Sequence, residues 1–292
     1  MEEACALFRD VLHLPVVKEG VAPARGARVT MLGVGGSYLE LIQPVAVDSP
    51  FTTYIRDKGE GLHHIALWSG DVELEVERLA EQGVPLEDPE PRRGFTGNLS
   101  FLEAEAFDGV VVEVVEPDEE LSGASRPGGR IKRVDHVVLR VPDAGSIADR
   151  FGEYFGIETK RKMERGPAVF AFLRPGDVII EVVSGKGTES PANGPSKGRE
   201  TGLSLDLRRG PLAEQKTGSS VDFQTGTISG LAFEVTEIDR LAASLKQKGY
   251  PIGDPHPALQ GGRIVSVHAT GACGVPLAFI DFTDSPGPSP RK

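Results

Sequence analysis

A chain of 292 residues with 39% hydrophobic and 26% charged side chains is too long for one small domain and too apolar to be disordered. It suits two domains of about 100 to 150 residues, each large enough to bury a core of its own. A formal charge of -11 excludes a polyanionic nucleic acid, which needs a basic face, and leaves a small molecule or a protein as the partner.

The first 15 residues read as a helix that starts in mid-unit, with His13 standing where glycine would commonly end it. A strand around Y-L-E-L-I (38–42) follows. The next unit is fuller: L-H-H-I-A-L-W (62–68) as a strand, a helix with Asp71 as N-cap and Gly83 just past its end, then strands in G-N-L-S-F-L (97–102) and G-V-V-V-E-V-V (109–115). A Pro/Gly/Ser-rich, charged stretch over residues 118–130 reads as a linker between domains 1–117 and 131–283.

The third unit opens on a strand over 133–141 and a helix over 146–156. It continues in strands A-V-F-A-F-L (168–173) and V-I-I-E-V-V (178–183), a βαβββ-like order. Residues 185–226 read as a long surface loop in which L-S-L-D-L has strand character. The fourth unit repeats the strand over 229–235, then a helix over 236–249 with Thr236 and Asp239 spaced as a capping box, then strands over 263–268 and 275–282. Residues 284–292 are a tail. No apolar run approaches the roughly 20 residues that span a bilayer, and the acidic start lacks signal-peptide character, so a cytoplasmic chain without membrane contact is expected. Cys5 and Cys273 form no CxxC or Cys/His cluster and read as reduced thiols.

Strand parity separates the two adjacent histidines. His64, Ala66 and Trp68 share one face, and His63, Ile65 and Leu67 the other, which reads as core. Laying the units over one another places His64 on His136 and Gly230, Glu113 on Ala278, and Glu40 on Glu181. Each glutamate stands alone between apolar residues, a costly place unless it is paired, hydrogen-bonded or bound to a cation. One histidine and two carboxylates converging from separate strands suit a divalent Co, Mn, Ni, Mg or Zn ion. The second half, with His136 and Glu181 beside Gly230 and Ala278, keeps two candidate ligands and reads as a polar remnant.

These stretches resemble the vicinal oxygen chelate superfamily of glyoxalases, bleomycin-resistance proteins and dioxygenases. L-E-L-I-Q-P (39–44), D-S-P-F-T-T-Y-I-R-D-K-G-E-G-L-H-H-I-A-L (48–67), P-R-R-G (91–94) and G-V-V-V-E-V-V-E-P (109–117) are most similar to its methylmalonyl-CoA epimerases. The resemblance implies an α+β fold of tandem vicinal oxygen chelate domains, each two βαβββ units forming a cup-shaped mixed sheet. The first strand of unit one, with its metal histidine, is missing from this chain; we read that as a truncation, because a unit without it would expose a sheet edge.

The resemblance further implies that Glu40, His64 and Glu113 hold the divalent ion, and that Glu113 or Glu40 acts as base in a metal-dependent epimerase or isomerase working α to a thioester carbonyl. Arg56, Lys58, Arg92 and Arg93 are candidates for the phosphates of an acyl-CoA substrate, or a solvated face. A homodimer is left open. Three departures stand beside the resemblance: the absent first histidine, L-E-A-E-A-F-D-G (102–109) in place of the usual His-Pro-Lys, and no second proton-transfer carboxylate near Val29. The alternatives are a glyoxalase-like lyase, a dioxygenase, or a non-catalytic small-molecule binder on the same scaffold.

Overall fold

The computed structural model describes residues 1–121, 129–185, 225–258 and 261–283. Most of the predicted loop over 185–226 and the tail lie outside these residues. Helix α1 (Glu2–Cys5) runs into a π-helical stretch (Ala6–Val11), and His13 follows at φ 59°, in the left-handed region that ends helices. Strands β1 (Val16–Ala22), β2 (Ala27–Val34) and β3 (Ser37–Pro44) form an antiparallel three-stranded sheet. Helix α2 (Pro50–Lys58) leads to a four-stranded sheet ordered β4 (His64–Trp68), β7 (Val111–Pro117), β6 (Gly97–Phe101), β5 (Arg92–Arg93), with helix α3 (Val72–Glu81) after β4.

The second half closes into one eight-stranded sheet. Its members are β8 (Ile131–Arg140), β9 (Thr159–Arg165), β10 (Ala168–Leu173), β11 (Ile179–Ser184), β12 (Thr227–Val235), β13 (His256–Pro257), β14 (Arg263–Val267) and β15 (Leu277–Asp281). Their order is β13-β14-β15-β12-β8-β11-β10-β9. Helix α4 (Ala144–Phe155) follows β8 and α5 (Ile238–Gln247) follows β12, so each unit has the βαβββ order read from the repeats. Local chemistry sets the helix ends. Asp71 accepts a hydrogen bond from the Leu74 N–H at 2.9 Å, and Asp143 accepts from Gly145 and Ser146, each carboxylate satisfying a free donor of the first turn.

The capping box expected at Thr236 and Asp239 does not form. The N-cap is Glu237, at φ 55°, and the free Ile238 N–H is satisfied by Asp281 of β15 while Asp239 pairs with Arg263. The linker begins bound to the fold: Leu121 is fully buried beside Val29 and Met31.

The expectation of one core per half is also corrected. Alternation sends Leu39 and Leu41 of β3, Ile65 and Leu67 of β4, and Val112 and Val114 of β7 to one side of their sheets, and that side packs on the second half. One core joins Leu7, Phe8 and Leu32 to Phe233, Leu241 and Phe279; another joins Val76, Leu79 and Phe107 to Leu139, Phe151 and Val182. Unit one thus packs on unit four and unit two on unit three. The halves approach closely enough to require glycine: a Cβ at Gly35 (φ 66°) would lie 2.6 Å from the Lys132 carbonyl oxygen, and one at Gly274 (φ 78°) 2.0 Å from that of Glu60.

The ring of Phe107 lies 4.5 Å from that of Phe151, and both are fully buried between the halves. Phe151→Ala is expected to cost about 3 to 5 kcal/mol. Because the cores are shared, urea unfolding followed by both fluorescence and circular dichroism should remain one coincident transition at a lower midpoint. Two separate transitions would contradict a shared core.

Candidate active site

The same alternation that buries one face of each strand presents Glu40, His64 and Glu113 on the other. β4 runs parallel to β7 with Ala66 opposite Glu113, and β12 runs parallel to β15 with Ala232 opposite Ala278, so the register inferred from the repeats is the one observed. His64 Nε2 lies 3.0 Å from Glu113 Oε2 and 3.7 Å from Glu40 Oε2. All three line a cavity of about 1220 Å3 whose walls also include Tyr38, Trp68 and Leu231.

Burial sets the electrostatics. Loss of hydration pushes the Glu40 carboxyl up to about 7; the His64 charge pulls it down and Glu113 adds to the rise. Although 23% of its side chain is open, that opening faces the cavity rather than free solvent, which agrees with a desolvated carboxyl. Burial also disfavours the His64 imidazolium, yet its hydrogen bond to Glu113 and the charges of Glu113 and Glu40 outweigh this and raise it above the usual histidine value.

His63 belongs to the site, contrary to the expectation from parity. β4 begins at His64, so His63 lies outside the strand and alternation does not govern it. Its ring packs edge-on against Phe51 (4.9 Å) and Tyr54 (4.7 Å) of α2, and its Nδ1 lies 3.0 Å from Nδ1 of His64. Burial, with the charges of His64, Arg25 and Lys58, lowers His63 to about 3. A neutral His63 accepting at Nδ1 and a charged His64 donating from both nitrogens satisfy the chain His63, His64, Glu113. The only trace of this in the sequence is the proximity of Phe51 and Tyr54 on a helix preceding the doublet.

The second cup is different. Val138 of β8 stands opposite both Glu181 and Gly230, the counterparts of Glu40 and His64. A register shift in the β8–β12 pairing leaves Asp135 out of the ladder, and its carboxylate lies 2.8 Å from His136 Nδ1. Glu181 is buried and raised by desolvation, with His136 opposing and Asp135 adding to the rise.

Glu40, His64 and Glu113 fit a divalent ion in donor type: two carboxylates, one buried and one partly buried, and one imidazole. His64 pairs with Glu113 instead, with Glu40 at 3.7 Å, and among the described residues no group of three His, Cys, Asp or Glu side chains is disposed to hold a metal. Of the cations considered for phosphate, Arg56 pairs with Asp57, Arg92 with Asp88 and Arg93 with Asp118, while Lys58 lies 5.6 Å over the Tyr54 ring.

Comparison with known proteins agrees with the duplicated architecture. The chain is 32% identical over 118 residues to the uncharacterised protein YqjC of Bacillus subtilis, covering 40% of this chain and 84% of that one. It is 28% identical over 116 residues to mouse mitochondrial methylmalonyl-CoA epimerase, covering 39% of this chain and 65% of the relative, which is thus matched over less than two thirds of its length. A mutant of 4-hydroxymandelate synthase from Streptomyces coelicolor superposes with a TM-score of 0.64 at 18% identity, over 99% of this chain and 91% of that one, a likeness of fold alone. Family models described as the Glyoxalase/Bleomycin resistance protein/Dioxygenase superfamily match residues 1–102 and, separately, 133–279. The chain belongs to that superfamily, carried twice.

Proposed function

We propose that the first cup performs proton removal and return at the carbon α to a carbonyl, as a metal-dependent epimerase or isomerase acting on a thioester of the acyl-CoA type. The observation that carries this reading is the placement of two carboxylates, the buried Glu113 and the partly buried Glu40, beside one imidazole on the wall of a cavity large enough for a substrate. Epimerisation asks for two proton-handling groups, one for each face of the carbon, and Glu40 and Glu113 are the candidates for that work in this cavity. The identity to methylmalonyl-CoA epimerases over the first half supports the thioester as substrate class.

In this reading the substrate carbonyl lies in the cavity beside the cluster, where negative charge develops as the α proton leaves. Glu113 or Glu40 takes the α proton as base. Glu40, His64 and Glu113 would hold the divalent ion only with His64 neutral and the His64–Glu113 pairing broken, and it would then supply stabilisation of the developing oxyanion. His63, wedged between Phe51 and Tyr54, fixes the His64 ring.

Incubation with methylmalonyl-CoA in D2O, in the presence of a divalent ion, should exchange the α proton. Glu40→Gln and Glu113→Gln should each slow exchange by about 10² to 10⁴. No exchange by the metal-loaded wild-type protein would end this reading. His63→Phe keeps the ring contacts but removes the acceptor. It should lower kcat with little change in KM, while His63→Asn, which retains an acceptor, restores part of the rate; equal loss in both variants would show that His63 serves packing alone.

A further inference from the structure

The second cup holds two unmet acceptors on one face. Glu181 lies on the side of β11 turned away from the core residues Ile180 and Val182 and is 6% exposed. Among the described residues its carboxylate accepts no hydrogen bond and joins no ion pair, so the cost of burying it is not met within the fold. His136 shares that face, two positions along β8 from Val138, the residue opposite Glu181, and is itself buried. Its Nδ1 is taken by Asp135 at 2.8 Å, and Asp135 is held in turn by Arg133 Nη2, 3.5 Å from its other oxygen. With Nδ1 donating to that carboxylate, the neutral ring keeps Nε2 as an acceptor.

The side chains around these acceptors are small on one flank and aromatic on the other. Gly230 and Ala278 stand where the first cup has His64 and Glu113, and Ala232 lies opposite His136, so the floor beside the acceptors lacks an imidazole and a carboxylate that the first cup carries. Across the sheet Phe172 is directly opposite Glu181, and its ring stacks on that of Phe170 at 6.4 Å. This set selects a donor with positive charge. A divalent ion is poorly served, because Glu181 and His136 offer two ligands and among the described residues no group of three His, Cys, Asp or Glu side chains could hold a metal. An ammonium group brings N–H donors for both acceptors and a charge that suits a carboxylate and aromatic faces together. The formal charge of -11 favours the approach of a cation.

We propose that the second cup is a binding site for a small organic ammonium ion, a primary amine. Glu181 is its counter-ion, His136 Nε2, oriented by Asp135, accepts one of its hydrogens, and Phe170 and Phe172 form its aromatic wall. None of these five residues lines the cavity of the first cup, so the assignment holds whatever reaction that cup performs.

Calorimetric titration of the full chain with benzylamine and with n-propylamine tests this. At least one of the two should bind saturably, while benzyl alcohol, which lacks the charge, and benzoate, which inverts it, should not. Glu181→Gln removes the charge at nearly constant shape and should weaken amine binding by at least about tenfold. Phe172→Leu should weaken it by about three- to tenfold. Glu40→Gln, in the first cup, should bind the amine as the wild type does. Circular dichroism spectra that match the wild type separate a lost site from a lost fold. Absence of saturable binding by both amines, equal binding of benzyl alcohol, or affinity unchanged by Glu181→Gln would overturn the proposal. So would binding lost in Glu40→Gln and kept in Glu181→Gln, since the amine would then sit in the first cup.

Discussion

The contact on which the first half turns is the 3.0 Å pairing of His64 with Glu113. Glu113 is 4% exposed in the middle of a strand, and an unpaired carboxylate there would cost several kcal/mol. The imidazolium of His64 meets that cost, yet a second buried carboxylate, Glu40, shares the same positive group. The Phe101 ring, edge-on to that of His64 at 5.4 Å, helps to hold the cluster in place. His63 completes the arrangement by accepting from the far side of the His64 ring, so that both imidazole nitrogens are used. A site built in this way is poised for a substrate oxygen or a cation to enter.

That arrangement depends on what lies behind the strands. β3, β4 and β7 each offer one face to the cup and the other to a core shared with the second half. The second half thereby acts as the backing of the first cup, while its own cup has glycine and alanine, Gly230 and Ala278, at two of the four equivalent positions. Duplication has left the first copy with Glu40, His64 and Glu113 on its cup face where the second carries Glu181, Gly230 and Ala278. The first cup carries the chemistry in our reading, and the second supplies the rigid, apolar support that positions it.

Period-two alternation and the internal repeat were enough to bring Glu40, His64 and Glu113 together from the sequence, because a strand's side-chain direction is fixed by count alone and the observed registers preserve that count. Asp71 as a cap and His13 at a helix end were legible for the same reason, being local chemistry. The features that were not legible are those where local rules stop. His63 escapes alternation because it precedes the strand by one residue. Asp135 reaches His136 only because a register shift frees it from the ladder. Glu237 displaces the expected capping box because Asp281, more than forty residues away, satisfies the first helical donor. The shared cores join apolar faces that look the same in sequence whether they meet their own half or the other.

The central claim is that the three buried side chains form one coupled site. A double-mutant cycle on folding stability, with His64→Gln, Glu113→Gln and the double variant measured by urea denaturation, tests it most directly. The account predicts that each single change, by leaving its partner's charge buried and unmet, is disproportionately destabilising, and that the double variant recovers enough to give a coupling of about 1 to 3 kcal/mol. Additive effects within about 0.5 kcal/mol would contradict it.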